Sequence, residues 1–103
     1  MTYQIVRRAI LDRRSLSARY DGRVLHFSPH ALGRHEDRSL RIVAFQYAGH
    51  GPARPPGEPD RGRWRCLALE RLTRVVPNSD GWHSGHDRRR PLRCVTVVIV
   101  DSW

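Results

Sequence analysis

Three polar side chains stand among apolar neighbours in the first half of the chain. His30 lies in Ser28-Pro29-His30-Ala31-Leu32-Gly33. Arg41 and Gln46 bound the segment Arg41-Ile42-Val43-Ala44-Phe45-Gln46. A polar group in apolar surroundings costs free energy unless it is paired, so each serves either the architecture or a ligand. His30, next to Pro29 at a strand end, can hydrogen-bond a neighbouring loop or meet a phosphate or base. Arg41 carries five donors in a planar fork, suited to bidentate phosphate or guanine-edge recognition. Its bland use is a packed stem with the head in water. Gln46 donates and accepts, as base-edge readers do, and can equally satisfy a loop backbone. The run Arg88-Arg89-Arg90 sits in a polar segment and suits nonspecific phosphate contact.

The overall charge points the same way. The chain has 19 basic residues, all arginine, against 10 acidic ones, a net charge of +9. A GC-rich genome explains arginine in place of lysine but not the excess of base over acid. That excess favours contact with nucleic acid or another polyanion. If about four phosphates were neutralised, affinity would fall roughly a hundredfold between about 50 and 200 mM salt.

Other chemistries find little support. Cys66 and Cys94 lie 28 residues apart in strand-like segments, where reduced, buried thiols are expected. His83 and His86 lie between them, but neither cysteine has the close partner of a zinc knuckle, so no metal and no cofactor is expected. There is no glycine-rich phosphate loop, paired-carboxylate signature or recognisable Ser/His/Asp context, so no enzyme is expected. Of the six histidines, His35, His50, His83 and His86 fall in polar loops.

The elements that must position these residues follow from periodicity. With 103 residues, one domain with a modest core is expected. Residues 3–14 predict a helix, with Thr2 as cap and Ile5, Val6, Ala9 and Ile10 on one stripe. From Leu16 the period becomes two, and Asp21-Gly22 signals a tight hairpin into a strand at 23–28. Pro29 should end or edge that strand, and residues 33–39 read as a loop. Residues 40–47 are apolar on both faces, as in a central strand. Residues 49–63 hold four Pro and four Gly and read as a surface loop. Strands follow at 64–70, continuing to 76 after a turn, and at 92–100. One helix before about five short strands predicts a mainly β fold, a small barrel. No apolar run approaches the ~20 residues of a membrane span and no signal core opens the chain, so a cytoplasmic protein is expected. Trp64 and Arg65 should face opposite sides of their strand, and Tyr20 should be core with its hydroxyl near solvent.

With this order in place, the chain resembles the WYL-domain family over roughly residues 3–80. The resemblance rests on Tyr20-Asp21-Gly22-Arg23, on residues 28–33, on Arg41 through Gln46, and on Trp64-Arg65-Cys66-Leu67-Ala68-Leu69-Glu70-Arg71-Leu72. The tripeptide that names the family falls on Leu40-Arg41-Ile42, so only the aliphatic third position is kept. The helix-turn-helix domain that often precedes such a domain does not occur in these residues. Nor does the usual extension domain, and residues 88–103 have no counterpart. The resemblance implies an Sm-like, SH3-type β-barrel. It also implies a ligand-sensing or nucleic-acid-binding module of bacterial transcription regulation or phage defence, with Arg65 matching the family's arginine in its strand. The expected binding set is His30, Arg41, Gln46, Arg65 and Arg88–Arg90, taking nucleic acid or a small anionic, nucleotide-like ligand. A second expectation, from the apolar edge at 95–100, is a protein-interaction module that forms a homodimer or docks on a partner.

Overall fold

The computed structural model describes residues 1–49, 62–84 and 93–103. Helix α1 spans Thr2–Asp12 and buries Val6, Ala9 and Ile10. Its arginines, Arg7 and Arg8, face water, and Arg8 reaches Asp12 one turn on at 3.0 Å. Thr2 is the first helical residue rather than its cap; Met1 takes the cap position with no side-chain hydrogen bond. At the other end Arg13 adopts a left-handed conformation with φ 52°. The Arg14 amide then returns to the Ala9 carbonyl at 2.8 Å, closing orphan carbonyls as a C-terminal cap does.

Strands β1 (Leu16–Tyr20) and β2 (Arg23–Arg34) form the expected hairpin. Asp21 and Gly22 both have positive φ, 52° and 81°, the conformation that a two-residue type I′ turn demands. Pro29 does not end β2, which runs on to Arg34 through residues expected to be loop. The reason is local. β1 pairs with β2 only as far as Phe27, and strand β6 (Val97–Asp101) takes up the same edge from Ala31. Pro29 lies in the gap, next to a register shift against β3 (Leu40–Gly49) that leaves His30 as the additional residue. A missing N–H is tolerated at such a bulge.

Strand β4 (Arg63–Ala68) pairs with β3, and β5 (Leu72–Pro77) pairs with β1. The six antiparallel strands make one open sheet in the order β4-β3-β2-β1-β5, with β6 on β2. The continuation expected after residue 70 is thus a separate strand, β5, and the last strand begins at Val97 rather than 92. Curvature follows from the connection between the two outer strands. Ala68 pairs with Arg41 on β3 and Leu72 with Tyr20 on β1. In a flat sheet β4 and β5 would stand roughly 19 Å apart, at about 4.8 Å per spacing. The four residues from Ala68 to Leu72 reach at most about 14 Å, and three of them are wound in a 3₁₀ turn (Leu69–Arg71). The sheet therefore curls. Accordingly, the Tyr20 hydroxyl on β1 accepts the Ala68 amide of β4 at 2.9 Å. That bond also corrects the expected solvent-facing hydroxyl, since Tyr20 is buried throughout. Among the described residues no ladder joins β4 to β5.

The concave face packs on α1, with Phe27, Leu32, Ile42, Ala44 and Leu67 among its fully buried residues. A smaller cluster on the other face joins Ala31, Val43 and Cys94 to Trp64, Cys66 and Val95. Here the thiols differ from expectation: Cys66 and Cys94 form a disulfide. The sheet presents Cys66 opposite Val43, and the segment before β6 crosses the same face. Their Cα atoms lie 5.7 Å apart, within bridging range.

Candidate anion-binding site

β3 and β4 pair so that Gln46 lies opposite Arg63, and Ala44 opposite Arg65. Alternation puts Gln46, Arg63 and Arg65 on the concave face and Trp64 on the other, beside Phe45 at 5.3 Å. Trp64 and Arg65 thus face apart, as alternation predicts. Gln46 is 3% exposed. Its Nε2 donates to the Ala48 carbonyl at 3.3 Å, and its Oε1 accepts from Arg65 Nη1 at 2.7 Å and Arg63 Nη2 at 3.4 Å. The Arg65 guanidinium lies 5.7 Å from the Tyr20 ring centroid, and the Arg71 guanidinium 4.5 Å. Arg71 also engages Asp21, through Nε to Oδ1 at 2.9 Å and through Nη2 to Oδ2. Three guanidiniums therefore converge on one ring and one amide. Asp21 neutralises Arg71; Gln46, being neutral, orients Arg65 without discharging it. The ring faces add cation–π attraction. Such a group can take a phosphate or carboxylate by charge-assisted hydrogen bonds.

The expected binding residues are not all brought together. Gln46 and Arg65 meet directly. Arg41 lies five residues from Gln46, roughly 17 Å along β3 and on the opposite face. It bonds Ser39 Oγ through Nε at 3.0 Å and approaches Asp37 at 3.7 Å. The Ser39 hydroxyl and amide hold the Asp37 carboxyl below its ordinary pKa, with His35 and Arg41 adding to the effect. Arg88, Arg89 and Arg90 lie outside the described residues, as do residues 50–61 of the proline-rich loop.

His30 is 1% exposed on the convex face. Its ring stands among all three tryptophans, with centroids 4.9 Å from Trp64, 4.5 Å from Trp82 and 5.7 Å from Trp103. Its Nε2 donates to the His83 carbonyl at 2.9 Å. This is the loop contact that one reading of His30 allows. Ser28 supports the same loop: its Oγ accepts the His83 amide at 2.9 Å and meets Ser15 Oγ at 2.7 Å. Ser15 Oγ in turn donates to the Gly81 carbonyl.

A polar cluster that sequence reasoning missed borders this loop. Tyr47 stacks on His83 at 3.8 Å, donates to Asp80 Oδ2 at 2.7 Å and accepts from Asn78 at 3.0 Å. Asn78 also donates to Ser17 Oγ, which lies 2.8 Å from His26 Nδ1. Burial, with the bond to Asp80 next, pushes the Tyr47 phenol up to about 12. Arg63, Arg71 and the Tyr20 ring were missed as well. The one signal, for Arg63, is the Arg-Trp-Arg alternation on β4, which becomes informative only once the register places Gln46 beside it. Compared with protein-family models, curated proteins and solved structures, the chain matches none.

Proposed function

We propose that the chain is a non-enzymatic, WYL-like binding module that takes nucleic acid, or a small nucleotide-like anion, at the Tyr20–Gln46–Arg65 cluster. Its setting would be bacterial transcription regulation or phage defence. The observation that carries the reading is the convergence of Arg63, Arg65 and Arg71 on a neutral amide and an aromatic ring. Arg65 is also the arginine that the WYL resemblance assigns. The strand order β4-β3-β2-β1-β5 behind an N-terminal helix, with the outer strands joined by three residues, supports an Sm-like, SH3-type barrel. The net charge of +9 supplies the long-range attraction. Fluorescence anisotropy with single-stranded and duplex oligonucleotides, competed with mononucleotides, tests it. Oligonucleotide binding that weakens with salt is expected. Competition by mononucleotides at comparable concentration would favour the small ligand, and no binding of either kind would refute the reading.

A second reading has its own observation. Val97, Val98 and Ile99 are 61%, 52% and 41% exposed, although alternation turns them to both faces of β6. Exposed apolar edges pair readily with other chains, so a homodimer through β6 is the alternative. Light scattering across concentration decides: a monomer throughout excludes it.

A further inference from the structure

We propose that residues 93–103 form a redox-controlled strap, held on the convex face by the Cys66–Cys94 disulfide and released when that bond is reduced. Among the described residues β6 pairs with β2 alone, over Ala31–Arg34, and a register shift interrupts even that ladder. Its three exposed side chains bury little apolar surface. A strand with so little burial is marginal without other support. Support comes from Val100, which packs against the main core, from Arg13 Nε, which donates to Ser102 Oγ at 2.9 Å, and from the two ends of the strand. Before β6, Cys94 is 4% exposed, bonded to Cys66 and capped at its carbonyl by His35 Nδ1 at 3.1 Å. After β6, the Ser102 amide donates to the His30 carbonyl at 2.8 Å, and Trp103 stacks on His30. Trp103 is itself half exposed, so the covalent tie is the firmer anchor.

The two sulfurs are unequal. Cys66 is half-buried, while Cys94 is enclosed against Ala31 and Val43. A dithiol reductant would therefore attack Cys66 Sγ. The Cys66–Cys94 bond breaks, a mixed disulfide forms on Cys66, and Cys94 leaves as a thiolate that takes a proton from water. The reductant's second thiol then displaces Cys66. The reductant departs as a cyclic disulfide, having supplied two electrons. With the tie gone, the strap leaves the β2 edge at Ala31–Arg34 and uncovers His30 and Trp64.

Hydrogen–deuterium exchange of the full chain, before and after dithiothreitol, tests this. Mass analysis of alkylated protein confirms each redox state. Amides of 97–101 and of their partners on β2 should exchange about tenfold faster or more after reduction and approach the rate of unstructured chain, while the β1–β2 ladder at 16–27, although less stable without the cross-link, stays well below that rate. The Cys66→Ser/Cys94→Ser variant should match the reduced protein with or without dithiothreitol. Unchanged exchange at 97–101 would overturn the proposal. So would exchange of 16–27 at the rate of unstructured chain as well, which would mean global unfolding, or two free thiols in the oxidised preparation.

Discussion

Gln46 is enclosed, yet its amide reaches one backbone carbonyl and two guanidiniums. The sequence left it between base reader and backbone partner. The structure gives it the backbone bond and a further task, holding Arg65 beside Tyr20. Gln46→Leu keeps the volume but removes the acceptor, leaving half-buried guanidinium donors without it. Anion affinity should fall about tenfold, corresponding to roughly 1–2 kcal/mol for a charge-assisted bond, measured by isothermal titration of oligonucleotide. Tyr47 supplies a pH prediction. Its folded value of about 12 lies above its ordinary 10.0, so folding favours the neutral phenol. That contribution is complete below about pH 10 and is lost as pH rises through the interval to about 12. Ultraviolet titration should show a late-ionising tyrosine that is absent in Tyr47→Phe and ionises earlier in Asp80→Asn. His30 shows why residue type alone could not decide its role. Whether an imidazole reads a ligand or braces a loop depends on what covers it, and Trp82, His83 and Trp103 arrive from segments more than fifty residues away.

The elements were legible wherever local patterning governed them. The α1 stripe, the Asp21-Gly22 hairpin and the two apolar faces of β3 follow from spacing and turn chemistry. Long-range partners governed the rest. Pro29 sits inside a strand because the edge it would weaken changes partners from β1 to β6 there. The cysteines pair because β4 and the segment before β6 cross one face, which a 28-residue separation does not reveal. Closing a loop of that length should contribute about 3.5 kcal/mol through the unfolded state. Cys66→Ser/Cys94→Ser should lower the urea midpoint accordingly, with an unchanged midpoint contradicting the account. Gly33 makes a sharper case. A Cβ there would run into the Val95 side chain and the Val97 carbonyl. Gly33→Ala should therefore push β6 from β2, seen as faster amide exchange at 97–101, while the β1–β2 hairpin keeps its protection.

At the scale of the whole molecule, the charge was evident from composition but its place was not. Arginines stand on the helix, on the hairpin and in segments outside the described residues, so a count cannot say which of them bind. The curled sheet brings Arg65 of β4 and Arg71 to one ring at the end of β1. Among the described residues no helix is long and apolar enough to cross a membrane. The most direct test of this placement is the salt dependence of oligonucleotide binding for the native chain and for Arg65→Ala. The account predicts that log affinity falls linearly with log salt, and that losing Arg65 weakens binding and lowers the slope by about one. An Arg65→Ala protein with the native affinity and the native slope would contradict it.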